Sequence, residues 1–164
     1  MSLLSKSCVY GLRATLYVVG FGGERKFVPI REIAAELKLS FHFLTKILQQ
    51  LTEAGLLESY RGPNGGIALA KEASSISLLD IVKAIDGDGD FTSCVLGLSA
   101  CSEKYPCPLH ATWGRQREEL RAALAKANLA ALRDPVLREV FRLSDEKRPA
   151  KKKSAGASRA GTPR

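Results

Sequence analysis

The feature that most constrains the fold is the order of patterns between residues 30 and 69. A short helical pattern is followed by a turn, by a longer helical pattern that ends at Gly55, and by two brief strand-like runs joined by the glycine-rich turn at residues 62–66. A glycine after the last periodic residue ends a helix, and Gly, Pro and Asn between two extended runs indicate a hairpin. This order predicts a winged helix-turn-helix, a mainly α fold with a small β wing.

Both helical patterns are amphipathic. In the first, the apolar residues recur at helical spacing; they are Ile30, Ile33, Ala34 and Leu37. In the second, Ser40 is placed to cap the helix, because its hydroxyl can accept a backbone N–H of the first turn. The predicted buried stripe of this second helix consists of Phe43, Leu44, Ile47, Leu48 and Leu51.

The outward side of the second helix is polar and cationic, and such side chains bond base edges or phosphates in a major groove. The alternative is an ordinary solvated helix face, and the wing that follows favours DNA. A phosphate-binding P-loop is excluded, because no Gly-Lys-Ser/Thr sequence follows the glycine-rich turn. The predicted DNA-binding residues are Ser40, His42, Thr45, Lys46 and Gln49 on the helix, with Arg61, Asn64 and Gly65 in the wing.

The distribution of charge supports this placement. The chain of 164 residues has a formal net charge of +8, but residues 147–164 contain seven basic residues and no acid. In residues 1–71 nine basic residues face five acids, whereas in residues 72–146 nine face twelve. The positive field therefore lies on the winged-helix half, where phosphates would bind. The basic end lacks large apolar side chains and is predicted to be disordered.

Helical signals also lie on either side of the winged-helix segment. The opening residues carry Val9, Leu12, Leu16 and Val19 at helical spacing, with Ser5 as a cap. After the wing, Ser77 and Asp80 form the ends of a capping-box pattern. The acidic run at residues 86–90 suggests a calcium loop, but that loop requires glycine at its sixth position and glutamate at its twelfth, and these are occupied by Phe91 and Gly97. The run is predicted to be a solvated linker.

A long apolar stripe follows the cysteines. It predicts a helix of about 20 residues over residues 113–132, longer than a small domain needs to cover itself. We expect a dimerisation helix, with packing within the chain as the alternative. The stripe consists of Leu109, Trp113, Leu120, Leu124, Ala127 and Ala131. Pro135 then begins a last short helix, so the predicted division is a winged-helix domain (1–85), a cysteine-bearing loop (86–110), a dimerisation helix with a terminal helix (111–144) and a disordered basic tail (145–164).

Three of the four cysteines, Cys94, Cys101 and Cys107, fall within fourteen residues, and His110 follows the last of them. No apolar run approaches the ~18 residues of a membrane span and no signal peptide opens the chain, so we expect a cytoplasmic protein with little use for structural disulfides. The cluster then indicates an iron-sulfur centre, a zinc site, a thiol switch or three unremarkable cysteines. Cys8 stands apart and is predicted to be a small buried hydrophobe.

Resemblance to a known family is carried by separated motifs: Ser5-Lys6 with YGLR at residues 10–13, PIREIAAELKLS, FLTKILQQLTEAGLLESYRGPNGGIAL, ISLLDIVKAIDG and the cysteine loop. Over about residues 3–131 the chain resembles the Rrf2 family of bacterial winged-helix regulators. The resemblance implies a homodimer with crossed long helices that acts on promoter DNA in the cytosol and catalyses no reaction. We expect a repressor.

The resemblance also implies site residues. Its recognition positions fall on Ser40, His42 and Thr45, and its wing arginine on Arg61. The iron-sulfur ligand pattern of IscR-like members matches Cys94, Cys101, Cys107 and His110, although the first cysteine gap has six residues where five is usual. In the NsrR-like branch a first-helix carboxylate completes the cluster, and the matching residue here is Val9.

Because the side chain of Val9 cannot coordinate iron, His110 is the better fourth ligand. A 2Fe-2S centre is therefore favoured over a 4Fe-4S centre. The alternative is a metal-free or zinc-bound thiol-sensing regulator. An iron-sulfur assembly factor or enzyme has less support, because neither histidine has a triad-like context and the chain has no Walker or dinucleotide motif.

Overall fold

The computed structural model describes residues 4–21, 25–99, 102–132 and 143. The elements are α1 (Lys6–Phe21), α2 (Ile30–Leu37), α3 (Phe41–Glu53), β1 (Leu57–Tyr60), β2 (Gly66–Leu69), α4 (Leu78–Asp86) and α5 (His110–Lys126), with short 3₁₀ turns at Ala73–Ser75, Gly89–Phe91 and Ala130–Leu132. The predicted fold class is confirmed: the described chain is mostly helical, and its two strands form one antiparallel sheet.

Helices α2 and α3 form the helix-turn-helix. The chain turns at Lys38, which has the left-handed φ of 55°. Ser40 caps α3 as predicted, since its hydroxyl accepts the Phe43 N–H at 3.2 Å. The predicted burial of Phe43 is wrong: its side chain is 37% exposed and meets the Tyr10 ring edge-on, because the α3 core stripe starts at Leu44.

The wing is tied to the chain segment before α2. Gly55, with a φ of 67°, ends α3, and β1 then pairs with β2 in a register that places Leu57 opposite Leu69. Val28 exchanges two backbone hydrogen bonds of 2.9 Å with Ile67. A Cβ on Gly66 would lie 2.2 Å from the Val28 carbonyl oxygen, so only glycine permits this close approach.

Helix α1 lies at the centre of the core, in contact with α2, α3 and α4. Its buried side chains include Cys8, Ala14 and Tyr17, whereas Val9 is 36% exposed. Val9 therefore does not join the predicted stripe, whereas its other members, Leu12, Leu16 and Val19, are partly buried and pack against the core. Small residues of α1 face its close neighbours. At Gly11, for example, a Cβ would lie 2.3 Å from the tip of Ile85 in α4.

The predicted helix caps at Ser5 and Ser77 are confirmed. The Ser5 hydroxyl accepts the Cys8 N–H at 3.0 Å, and Ser77 forms the reciprocal capping box with Asp80. The prediction of a solvated linker at residues 86–90 is wrong at its start. Asp86 accepts the Ser5 N–H at 2.8 Å and also the Ser5 hydroxyl proton, so this carboxylate joins the end of α4 to the start of α1.

Helix α5 ends at Lys126, six residues before the predicted end. The chain then becomes extended and pairs with the segment before α4: the Leu78 N–H donates to Ala127 at 2.9 Å, and the Leu129 N–H donates to Ile76 at 3.0 Å. These long-range hydrogen bonds, together with the full burial of Leu129, compete with continued helix. Ala127 and Ala131 therefore do not belong to α5, and Leu109 precedes it.

Leu120 and Leu124 of α5 pack against an apolar cluster of the same chain, formed by Cys8, Leu79, Val82 and Phe91. These two leucines are partly buried within the chain, which is the alternative that the sequence left open for this stripe. The role of α5 in dimerisation stays a prediction. Of the predicted terminal helix, the described residues include only Leu143, whose carbonyl accepts a hydrogen bond from Arg13. The predicted basic tail at 145–164 lies outside the described residues. None of the described helices is both long enough and apolar enough to cross a lipid bilayer.

Candidate nucleic-acid interface and cysteine loop

The predicted recognition residues share the outer side of α3. His42, Lys46 and Gln49 are exposed. Ser40 and Thr45 bond to the helix itself: Ser40 caps it, and the Thr45 hydroxyl donates to the Phe41 carbonyl at 2.7 Å. The exposed imidazole, ammonium and amide groups therefore form the part of this face best suited to base edges.

A groove of about 660 Å³ runs between α3 and the wing. Phe41, Thr45 and Gln49 line its α3 side, and Tyr60 and Arg61 line its wing side. Arg31 also lines the groove, so two arginines border it, and the described lining residues include no carboxylate. Such a groove suits a DNA sugar-phosphate backbone that passes between helix α3, in the major groove, and the wing.

Sequence reasoning missed Arg31, Phe41 and Tyr60. The guanidinium of Arg31 lies 5.7 Å from the centre of the Phe41 ring. Tyr60 is 58% exposed and stacks on Phe27 with ring centres 5.4 Å apart. Residue type alone does not assign these three side chains to a groove. Only the packing of α2 against α3, and of the wing against Phe27, places them there.

The wing turn depends on its glycines. Gly62 has a φ of 141°, and its carbonyl accepts the Gly65 N–H at 2.9 Å. A Cβ on Gly65 would lie 2.4 Å from the Tyr60 carbonyl oxygen. The predicted Gly65 is thus half-buried with its N–H used by the turn, whereas Asn64 and Arg61 are exposed at the wing surface.

In the cysteine loop, two of the predicted ligands lie together. The Sγ atoms of Cys94 and Cys107 are 3.7 Å apart, and both thiols are free. Two sulfurs about 2.3 Å from one tetrahedral metal ion lie about 3.8 Å apart, so this pair fits a thiolate-bound metal without further approach. Cys101 lies outside the described residues.

His110 begins α5, and its N–H donates to the Cys107 carbonyl at 3.0 Å. Cys107 and His110 line one open groove of about 600 Å³ with Glu103 and Arg115. Among the described residues, which omit Cys101, no three His, Cys, Asp or Glu side chains are grouped closely enough to hold a metal ion. The structure thus brings the thiol of Cys94 next to that of Cys107 and places His110 beside Cys107.

The surroundings of Cys94 favour its thiolate. The pKa of the Cys94 thiol is lowered, chiefly by the backbone N–H of Leu96 and further by that of Leu98, the Cys107 thiol and the positive charge of Arg117; partial burial opposes them. The thiolate is the form that binds metals and attacks disulfides. Cys8, by contrast, is fully buried beside Leu79, Val82 and Phe91, as predicted for a small hydrophobe.

Sequence reasoning also missed two donors from α5. Trp113 Nε1–H and Arg117 Nη1–H both donate to the carbonyl of Ser93, at 3.0 and 2.8 Å. The i, i+4 spacing places both side chains on one helix face, but only the fold brings that face to residue 93.

A helix-turn-helix, a two-stranded wing and a groove lined by arginines define a winged-helix DNA-binding regulator. The chain belongs to the Rrf2 family: the family model described as "Rrf2: Iron-dependent Transcriptional regulator" matches residues 4–135. This is a family of transcription regulators, not of enzymes, as the resemblance implied.

Named relatives agree with this assignment. The chain is 38% identical over 126 residues to protein aau3 of Rhizobium meliloti (strain 1021), covering 76% of this chain and 73% of that protein. It is 34% identical over 132 residues to the HTH-type transcriptional regulator IscR of Klebsiella pneumoniae (strain 342), covering 80% of this chain and 79% of that protein.

Solved structures share the fold. Staphylococcus aureus CymR is 28% identical with a TM-score of 0.64, over 79% of this chain and 97% of that one. The T. potens IscR structure is 25% identical with a TM-score of 0.61, over 84% and 88%. CymR has also been solved in an oxidized form, to which this chain is 28% identical with a TM-score of 0.64, over 82% of this chain and 97% of that one.

Proposed function

We propose that this regulator is a cytoplasmic homodimeric repressor whose operator affinity depends on an iron-sulfur cluster held in the cysteine loop. Membership of the Rrf2 family supports DNA binding and transcription control. The observation that carries the DNA interface is the groove between α3 and the wing, which two arginines line without a neighbouring carboxylate among the described lining residues. In this proposal His42, Lys46 and Gln49 contact base edges, Ser40 and Thr45 contact the adjoining backbone, and the wing residues Arg61, Asn64 and Gly65 approach the minor groove.

Arginine substitutions test this interface. Arg61→Ala is expected to weaken operator binding by about 1 to 3 kcal/mol, as the loss of one specific groove contact does. Arg31→Ala is expected to weaken all duplexes alike and to reduce the slope of log K against log salt by about 0.9, the value for one lost phosphate contact. Arg121→Ala, on the surface of α5, is the matched control. Unchanged affinity and salt slope in both groove variants would contradict the placement of DNA in this groove.

The 3.7 Å separation of the Cys94 and Cys107 sulfurs supports the cluster site. We assign Cys94, Cys101, Cys107 and His110 as ligands, and favour a 2Fe-2S centre because histidine can replace cysteine on one iron of such a centre. The bound cluster would supply a group sensitive to oxygen, nitric oxide or redox state. The chain's own contribution is the placement of two thiolates at one end of the loop and an imidazole at the start of α5.

Anaerobic purification followed by iron, sulfide and zinc analysis tests the cluster. Alanine at any of the three loop cysteines is expected to abolish the visible chromophore, and His110→Ala to weaken or shift it. Cys8→Ala is the matched control, because this buried thiol lies outside the proposed ligand set. A chromophore that depends on Cys8 would overturn the ligand assignment.

A metal-free or zinc-bound thiol sensor is the second candidate. The same pair of free thiols favours it, because sulfurs 3.7 Å apart need only a small movement to reach the ~2.05 Å of a disulfide. Likeness to CymR, which has been solved in an oxidized form, points in the same direction. A colourless anaerobic preparation with stoichiometric zinc, or without metal, would select this candidate.

Dimerisation is proposed because paired reading heads suit a palindromic operator. Since Leu120 and Leu124 pack within the chain, the test uses the exposed side of α5, where Ala122 lies. Ala122→Arg is expected to leave the fold intact and to shift sedimentation towards monomer, because it places a charged side chain in an interface. A monomeric wild-type protein would refute the homodimer, and an Ala122→Arg dimer would move the interface elsewhere.

A further inference from the structure

The carbonyl oxygen of Ser93 is held by two side chains from consecutive turns of α5. The Trp113 indole N–H donates to it at 3.0 Å and the Arg117 guanidinium at 2.8 Å. On the other side, the Ser93 N–H and hydroxyl both donate to the Gly89 carbonyl, at 2.9 and 2.6 Å. Ser93 is thus fixed from both sides, and the next residue is Cys94.

The same end of α5 also holds the other end of the loop. His110 is the first residue of α5, and its N–H bonds to Cys107. Cys94 is thus held against α5 through its neighbour Ser93, and Cys107 is held through its hydrogen bond with His110. Their Sγ atoms lie 3.7 Å apart. The spacing between the sulfurs depends on both attachments.

The attachment at Ser93 is not needed to hold α5 against the rest of the chain. Leu120 and Leu124, one to three turns further along, already pack into the apolar cluster around Cys8 and Phe91. Trp113 and Arg117 bond a single backbone atom, the Ser93 carbonyl oxygen, next to the Cys94 thiol. These two hydrogen bonds therefore fix the position of Cys94 more than they add to the stability of the fold.

We propose that Trp113 and Arg117 are positioning residues that fix Cys94 beside Cys107 and convey a change at the Cys94 sulfur into α5. The inference rests on the proposed function in that the Cys94–Cys107 pair is the ligand or switch site. Neither side chain touches the sulfur in this role. Both bond the Ser93 carbonyl, and Arg117 also acts on the thiol through its positive charge.

The chain's single tryptophan provides a direct probe. In the reduced, chelator-treated full-length protein labelled with ¹⁵N, the only indole N–H signal belongs to Trp113. Arg117→Met removes one of the two donors to the shared carbonyl, so the hydrogen bond of the remaining donor changes and this indole signal is expected to shift. Arg121→Met, one turn further along α5 and paired with Glu118, is the control and should leave the signal unchanged.

The same variants are then reconstituted with ferrous iron and sulfide, and the cluster is bleached with a chelator. Arg117→Met and Trp113→Phe are each expected to bleach roughly tenfold faster than wild type, the effect of one lost hydrogen bond to the Ser93 carbonyl. Arg117→Lys retains a positive donor and should restore part of the lifetime, whereas Arg121→Met should match wild type. If Trp113→Phe fails to fold, the arginine series decides alone.

The two proposals fail in different ways. If the protein takes up no cluster but the indole signal responds to Arg117→Met and to Cys94→Ser, the iron-sulfur function falls and the positioning role stands. If a cluster forms and both Arg117→Met and Arg121→Met leave the indole signal and the bleaching rate unchanged, the positioning role is overturned.

Discussion

Gly66→Ala should separate the wing from the segment that leads into α2. The added Cβ would lie 2.2 Å from the Val28 carbonyl oxygen, 2.5 Å from its carbon and 2.9 Å from the Pro29 nitrogen. These are backbone atoms, which cannot move aside as the end of a flexible side chain can. The strand must therefore shift away from Val28.

The cost follows from the contacts at this point. The shift breaks the two 2.9 Å hydrogen bonds between Val28 and Ile67, each worth about 1 kcal/mol net. It also disturbs Val28 and Ile67, which are 1% and 2% exposed, and forced movement in a packed core typically costs 1 to 3 kcal/mol. We therefore expect a loss of about 3 to 5 kcal/mol in the free energy of unfolding.

Urea unfolding of the reduced, metal-free chain at one fixed protein concentration measures this loss. Gly20→Ala is the matched control: its Cβ meets no atom within 4 Å, and alanine inside a helix is favoured over glycine by about 0.5 to 1 kcal/mol. A Gly66→Ala protein as stable as wild type would refute the close approach of the wing to Val28. A folded but weakened variant should also lose operator affinity, because the wing carries Arg61.

Two further predictions concern local stability. Ser77→Ala removes the hydroxyl that accepts the Asp80 N–H at 3.2 Å, and the loss of such a cap should lower the free energy of unfolding by about 1 kcal/mol in urea titrations. Glu32→Gln tests the ion pair with Arg25, whose hydrogen bonds lower the pKa of Glu32, assisted by Tyr17. Since the folded pKa is lowered, the pair stabilises the protein above the unfolded pKa of about 4.3, and this contribution disappears as the pH falls through the folded pKa. We expect Glu32→Gln to be slightly less stable than wild type at neutral pH and equal to it in acid, because both partners are partly exposed and solvent screens the pair.

Local signals in the sequence predicted most of the fold. The caps at Ser5, Ser40 and Ser77 involve residues three positions apart, so the sequence contains the whole interaction. The end of α5 depends instead on hydrogen bonds between residues 127–129 and 76–78, which no local pattern reveals. Alanine-rich sequence favours helix, and here tertiary pairing overrides that preference.

The candidate sites divide in the same way. Side-chain type and spacing singled out the cysteines and the outer face of α3. The direction of Arg31 and the shared acceptor of Trp113 and Arg117 depend on how helices pack, and each would suit a solvated surface equally well in the sequence alone.

Helix α5 links the cysteine loop, which contacts its first turns, to the winged-helix domain, which contacts the residues after its last turn. Its first turns bind Ser93 and Cys107, and the residues after its last turn pair with the segment between β2 and α4. If the redox state at Cys94 alters operator affinity through this helix, thermodynamic linkage requires the operator to alter the redox equilibrium by the same factor. For a one-electron cluster, each tenfold difference in operator affinity between oxidised and reduced protein must appear as a shift of about 59 mV in midpoint potential when operator saturates the protein, whereas a two-electron thiol–disulfide pair must show about 30 mV. Measuring both affinities and both potentials on one duplex, at one salt concentration, therefore distinguishes the cluster from the thiol switch. A tenfold affinity difference between the cluster-bound and the cluster-free protein, with no shift in potential, would show that loss of the bound centre, and not its redox state, controls DNA binding.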